Sequence, residues 1–90
     1  MADALTVDVV ASDQVLWSGE AERVIAPAVE GEIGLLANHE PVLSVLAPGT
    51  IRIRSTSGES QVFEIAGGFI SFDHNVITAV VDPVASSDES

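Results

Sequence analysis

The segment PGTIRIRSTSGESQVFEI, residues 48–65, indicates the fold more strongly than any other stretch of the chain. Pro48-Gly49 is a turn signal, and Ile51-Arg52-Ile53-Arg54 then alternates strictly between apolar and charged residues. Residues 56–59, TSGE, have the composition of a hairpin loop, and residues 62–65 can pair back as a second strand. We therefore predict a β-hairpin whose isoleucines line one face of a sheet and whose arginines line the other.

Short apolar runs separated by turn residues continue outward from this hairpin in both directions. No segment has helical periodicity over three turns, although residues 42–46 are short enough to be a strand or a helical turn. Residues 76–81 are apolar at nearly every position, so that both of their faces are covered or one face is kept for a partner. Strands are predicted at residues 5–10, 14–17, 23–29, 33–36, 42–46, 51–54, 62–65, 69–72 and 76–81.

This pattern predicts an all-β fold, a flattened antiparallel β-sandwich or barrel of about nine to ten short strands. One domain is expected over residues 1–83, since the chain has 90 residues and is too short for a second core. After Asp82-Pro83 the composition becomes Ser-rich and acidic. Residues 84–90 are therefore expected to form a disordered acidic tail.

The charge of the chain limits its partners. The chain has 14 acidic and 3 basic residues, no lysine, and a formal net charge of −11. Nucleic acids bind chiefly through Lys and Arg contacts to phosphate, so no nucleic-acid partner is expected, and anionic lipid would repel the chain as well. A basic protein surface is the natural complement. Because the N-terminus does not resemble a signal peptide, we expect a cytoplasmic protein that reaches a membrane only through a complex.

The composition also argues against bond chemistry. Without cysteine or lysine, the chain has no thiol nucleophile, no Schiff base and no Walker phosphate loop. A hydrolytic metal site built from His39, His74, Glu40 and Asp73 is conceivable, but no metal-binding spacing supports it, and both histidines are expected to be ordinary loop residues. We expect no catalytic residue, no metal and no cofactor.

Two further features have ordinary structural interpretations. Gly67-Gly68 predicts a β-bulge or a close backbone crossing rather than a phosphate cradle. Arg52 and Arg54 are expected to lie on a solvated face with local salt bridges. A stand-alone ligand-binding β-sandwich is the alternative function, but it requires an aromatic-lined concave face, and only 4% of the residues are aromatic.

Several ordered stretches resemble the epsilon subunit of bacterial F-type ATP synthase. They are VDVV (7–10) with WSG (17–19), then EGEIGLL (30–36), NHEPVL (38–43) and PGTIRI (48–53), then GGFI (67–70), NVIT (75–78) and VD (81–82). Each stretch alone is weak, but together they cover residues 5–82 in the family's order and spacing. Asn38 stands where the family usually has glycine, and asparagine also tolerates a left-handed backbone.

This resemblance implies a mechanical role in a rotor. In the family, the β-domain grips the foot of the gamma shaft and rests on the polar loops of the membrane c-ring, so that rotation reaches the shaft without catalysis by the domain itself. The resemblance implies a c-ring interface of Glu30, Gly31, Glu32, Asn38 and His39, with Glu32 against a c-ring arginine. The surplus of apolar positions and the family's gamma contact imply a gamma interface of Val42, Leu43, Phe69 and Phe72.

The resemblance also implies a location and a limit. A subunit of this kind is peripheral at the cytoplasmic face of the bacterial plasma membrane. The family commonly adds a C-terminal helical hairpin that inhibits ATP hydrolysis and, in some members, binds ATP. The chain ends soon after Asp82, so neither property is expected here.

Overall fold

The computed structural model describes residues 4–84 and contains seven β-strands in this range. They are β1 (Leu5–Ala11), β2 (Gln14–Ala28), β3 (Gly31–Leu36), β4 (Val42–Leu46), β5 (Gly49–Ser55), β6 (Ser60–Asp73) and β7 (Val76–Pro83). The predicted all-β class is confirmed. The strands number seven because β2 and β6, with 15 and 14 residues, each join two of the predicted strands into one.

The strands form one closed pattern of hydrogen-bonded pairs. The order is β1-β7-β6-β4-β2-β3, with β5 paired to β2 and β6 and with β1 also paired to β2. β4 and β5 follow one another along β6, where Leu46 pairs with Gly68 and Gly49 with Ile65. The pairings are antiparallel except that of β1 with β7, which is parallel and departs from the antiparallel prediction.

The two long strands produce the sandwich because each contributes to both layers. Residues 14–21 of β2 pair with β1, whereas residues 21–28 pair with β3 and β5. Likewise, residues 60–65 of β6 pair with β5, and residues 68–72 pair with β4. One layer therefore contains β4, β7, β1 and halves of β6 and β2, and the other contains β3, β5 and the remaining halves. We call them the β7 layer and the β5 layer.

The core lies between these layers and follows the alternation of each strand. In β5, Ile51 and Ile53 are 0% and 1% exposed, while Arg52 and Arg54 point outward, as the sequence predicts. Burying one such isoleucine stabilises the fold by about 1.5–3 kcal/mol. The remaining fully buried large side chains are Phe72, Leu5, Leu35, Ile65, Ile70, Ile77, Val7, Val9, Val24 and Val81.

The two adjacent glycines of β6 mark the point where this strand passes from one layer to the other. The register with β7 shifts between Ile65 and Gly67, which is the predicted bulge. Gly68 has φ +137°, and a Cβ there would collide with the carbonyl oxygen of Val80 and lie 2.8 Å from the Cα atom of Val81. Only glycine permits this close backbone approach.

The last described residue continues the contact with β6, since the Val84 N–H donates to the Glu64 carbonyl at 3.4 Å. The rest of the tail predicted over residues 84–90 lies outside the described residues. No membrane-spanning helix is found in the part of the chain that the structure describes.

Candidate docking surfaces

The loop after β3 and the turn between β6 and β7 are joined at one end of the sandwich. Asn38, His74 and Asn75 all have left-handed backbones, with φ of 67°, 51° and 63°. The backbone N–H of Asn38 donates to Oδ1 of Asn75 at 2.6 Å, and Nδ2 of Asn75 donates to Oδ1 of Asn38 at 3.3 Å. The left-handed conformation predicted for Asn38 is confirmed, and the asparagine pair fixes this loop against the neighbouring turn.

His39 is held by backbone and core contacts rather than by a charged partner. The backbone N–H of His39 donates to the Leu36 carbonyl at 3.2 Å, and the imidazole Nδ1 lies 2.8 Å from the carbonyl oxygen of Glu40. Because a carbonyl can only accept, Nδ1 carries a proton. The imidazole also packs edge-on against Phe72, with ring centroids 5.7 Å apart. The loop therefore presents His39 from a defined position.

The four residues considered for a metal site are only partly brought together. Nδ1 of His74 lies 2.9 Å from Oδ1 of Asp73, and both side chains are largely exposed. These two residues share a surface groove of about 410 Å³ with Asn38, His39, Pro41 and Asn75. Within residues 4–84, no group of three or more His, Asp or Glu side chains is arranged to hold a metal ion.

The predicted c-ring residues are distributed along an edge strand. Glu30 and Gly31 are exposed in the turn that joins β2 to β3, and Glu32 follows at the start of β3, opposite Pro27. His39 comes after the other end of β3, and the six residues of β3 span roughly 17 Å at 3.3 Å per residue. β3 is the last strand in the order and pairs with β2. The set therefore describes one border of the sandwich rather than a single point.

The outward face of the β7 layer carries a continuous row of apolar side chains. Cross-strand pairing places Val45 opposite Phe69, Phe69 opposite Val80, Val80 opposite Val10, and Val10 opposite Val15. We call these five residues the apolar row. Its members Val45, Phe69 and Val15 are 58%, 50% and 62% exposed. The row crosses five strands and is about 19 Å long at 4.8 Å per strand.

Leu43 extends this surface beside the row. It is 79% exposed, two residues from Val45 on the same face of β4. The neighbouring cross-strand row becomes polar, with Ser71 opposite Leu43 and the Ser18 hydroxyl donating to Asp8 at 2.6 Å. The apolar row is therefore bordered by polar groups on this side, as protein interaction sites commonly are.

The residues predicted for the gamma interface divide between the two faces of the β7 layer. Leu43 and Phe69 point outward, but Phe72 is 1% exposed and lies in the core, and Val42 is half-buried and packs against that core. The prediction of a surface position for Phe72 is wrong because side chains three residues apart on a strand point to opposite faces. Residues 76–81 keep one face outward, since Val80 joins the apolar row.

Comparison with known proteins identifies the family. The family model described as "ATP synthase, Delta/Epsilon chain, beta-sandwich domain" matches residues 4–86. The chain belongs to this family. Its relatives include the ATP synthase epsilon chains of Streptomyces avermitilis and Streptomyces coelicolor, each 42% identical over 89 residues, which is 99% of this chain and 72% of the relative. The epsilon chain of Alkalilimnicola ehrlichii is 40% identical over 81 residues, 90% of this chain and 58% of that one.

Solved structures show the same fold at lower identity. A chain in the cryo-EM structure of the Euglena gracilis mitochondrial ATP synthase OSCP/F1/c-ring assembly has a TM-score of 0.82 at 23% identity, covering 94% of this chain and 56% of that one. A chain in the Tetrahymena thermophila mitochondrial ATP synthase central stalk and c-ring has a TM-score of 0.74 at 21% identity, covering 90% and 65%. These two chains thus share the fold of this chain over nearly its whole length.

Sequence reasoning missed most of the apolar row. Val10, Val15, Val45 and Val80 come from four different strands and are far apart along the chain. Their only local signal is the β-branched side chain at positions that alternate with buried residues. Their proximity follows from register, which the sequence pattern did not specify.

Proposed function

We propose that this chain is the epsilon-type subunit in the rotor of a proton-translocating F-type ATP synthase, where it links the gamma shaft to the c-ring without catalysing a reaction. Relatives that are named ATP synthase epsilon chain support this role, and so do similar folds in assemblies that contain a c-ring. The subunit would be peripheral at the cytoplasmic face of a bacterial plasma membrane and attached there through the complex.

The apolar row is the observation that carries the proposal. In a chain of net charge −11, five apolar side chains on neighbouring strands share one outward face, and Leu43 lies beside them. An exposed apolar surface bordered by polar groups is typical of a protein interface. We assign this face to the gamma shaft, which would cover Val45, Phe69 and Leu43.

The β3 border and the loop at its end are assigned to the polar loops of the c-ring. Glu32 is exposed near one end of this border, and His39 is held in place near the other. Two polar contacts that are separated by the length of β3 resist rotation of the subunit better than one contact, because a force at a distance from the axis exerts torque. Glu32 would pair with an arginine of a c-ring loop, where a rim charge chiefly affects association and register.

The fold is suited to transmitting torque. β2 and β6 run through both layers, so the two layers are connected by continuous backbone as well as by the core. A sandwich connected in this way cannot shear between its layers without breaking strand pairs. Rotation of the ring can therefore reach the shaft through this domain with little slip.

Reversing the charge of Glu32 tests the c-ring assignment. We expect Glu32→Lys to weaken retention of the subunit on the c-ring and to lower proton-driven ATP synthesis in reconstituted vesicles. Glu59→Lys in the β5–β6 turn makes the same change of charge and should leave both unchanged. Equal behaviour of the two variants would remove the assignment of Glu32.

Co-purification tests the proposed function itself. The chain is expected to elute with purified gamma, and the pair to elute with detergent-solubilised c-ring. A chain that binds neither gamma nor the c-ring, and instead retains a small ligand, would support a stand-alone binding module and overturn the rotor role.

A further inference from the structure

All three basic residues of the chain lie on the outward face of the β5 layer. Arg23 in β2 is directly opposite Arg54 in β5. Two residues further along the same two strands, Ile25 is opposite Arg52. The three arginines line one surface groove of about 350 Å³, together with Ile25, Ile53, Ser60 and Val62. We call Arg23, Arg52 and Arg54 the arginine cluster.

In the described part of the chain, no carboxylate lies within 4.0 Å of the arginine cluster. The chain has 14 acidic residues, yet within residues 4–84 the ion pair found at 4.0 Å or less joins His74 to Asp73. The prediction of local salt bridges for Arg52 and Arg54 is therefore wrong. Like charges directly opposite across two strands destabilise a sheet, so the pairing of Arg23 with Arg54 costs stability.

Apolar side chains border the arginine cluster on both sides. Leu36 in β3 pairs with Arg23 and is 57% exposed. Val62 in β6 pairs with Arg52 and is 58% exposed. A partner that covers this face must therefore offer apolar groups beside its anionic groups. Inorganic phosphate alone would leave Leu36 and Val62 exposed.

The basic area is also too small for an extended polyanion. One step further along the same face, Glu32 pairs with Pro27 and Glu64 pairs with Thr50. These carboxylates limit the positive region to two cross-strand rows on β2 and β5, two strands that lie about 4.8 Å apart. A nucleic acid or an anionic lipid surface would meet these carboxylates, whereas two or three carboxylates of a peptide fit within the basic area.

We propose that the outward face of the β5 layer binds an acidic segment of a protein partner. Guanidinium groups recognise carboxylates through paired, charge-assisted hydrogen bonds. Carboxylates of the segment pair with the arginine cluster, and its apolar side chains cover Leu36 and Val62. This face belongs to the layer opposite the apolar row, so the site is additional to the gamma interface and leaves that interface accessible.

A model peptide provides the test. The ¹⁵N-labelled chain is titrated with the blocked peptide Ac-EELEELEELE-NH₂, and backbone amide shifts are recorded up to 1 mM peptide. We expect saturable shifts on β2, β5 and the first half of β6. The double variant Arg23→Gln/Arg54→Gln should bind about tenfold more weakly, because two of the three arginines that pair with peptide carboxylates are lost.

Matched controls separate this site from general electrostatics. Ser12→Glu/Gln14→Glu, in and next to the β1–β2 turn, makes the same change in net charge and should leave peptide affinity within twofold. A peptide with Gln in place of Glu should not bind. The proposal is overturned if no saturable shift appears at 1 mM or if the arginine variant binds as well as the parent. It is also overturned if sodium phosphate or anionic vesicles produce the same shifts and displace the peptide.

Discussion

Val45 and Val62 offer a matched pair for testing which face of the sandwich meets the gamma shaft. Both are valines in β-strands, and both are 58% exposed. Val45 lies in the apolar row on the β7 layer, and Val62 lies on the β5 layer beside Arg52. Val45→Glu and Val62→Glu therefore make the same chemical change at equal exposure on different faces.

The expected loss of gamma affinity follows from burial. Covering the exposed 58% of Val45 contributes about 1 kcal/mol, given about 1.5 kcal/mol for complete burial of valine. A glutamate in its place loses this contribution and also introduces an unpaired carboxylate into the interface, which costs several kcal/mol more. The sum is about 3 kcal/mol or more, which corresponds to a Kd for gamma roughly 150-fold higher.

Isothermal titration calorimetry with purified gamma measures this difference directly. Val45→Glu should bind at least about 100-fold more weakly than the parent chain, and Val62→Glu should bind within about threefold of it. Thermal unfolding provides the control for folding, because both side chains are exposed and strand propensity alone changes stability by about 1 kcal/mol or less. Equal affinity of the two variants, or a loss confined to Val62→Glu, would refute the assignment of the apolar row.

Two further predictions concern stability and use conservative controls. Gly68→Ala should lower the free energy of unfolding by about 3 kcal/mol or more because the added Cβ meets the β7 backbone at a left-handed φ, so Tm should fall by about 12 °C or more. The control Gly34→Ala, with no atom within 4 Å of the added Cβ, should change Tm by only a few degrees. Similar Tm values for the two variants would contradict the close-approach argument. Asn75→Ala should cost about 2 kcal/mol or more, since it removes the acceptor of the Asn38 N–H and places alanine at a left-handed φ. Asn75→Asp keeps an oxygen there and tolerates this φ, so it should retain most of the stability. A chemical denaturation series measures both, and equal losses would show that the hydrogen bond does not hold the loop.

The alternation of residue types by itself determined the orientation of the side chains in β5. The hairpin of β5 with β6 was predicted from residues 48–65, and Ile51 and Ile53 lie in the core as expected. The bulge or close backbone crossing at Gly67-Gly68 was predicted from the two adjacent glycines. These features depend on periodicity and on backbone conformations that few residues permit, and both are local properties of the chain.

Other features depended on which strands become neighbours. Phe72 was grouped with Phe69 because the two are close in sequence, yet they point to opposite faces of β6. The parallel pairing of β1 with β7 was not predicted, because no turn connects these strands. The fusion of predicted strands into β2 and β6 was also missed, since turn-like residues within them are accommodated by bulges.

The sequence alone thus determined the all-β class, the inward side of β5 and the acidic composition of the chain. Only the tertiary structure decided that valines from four strands join Phe69 in one row, and that Arg23 meets Arg52 and Arg54 on the opposite layer. The physical reason is that alternation assigns a side chain to a face, whereas its neighbours on that face depend on strand register. Register is selected by burial of the whole core, to which all seven strands contribute.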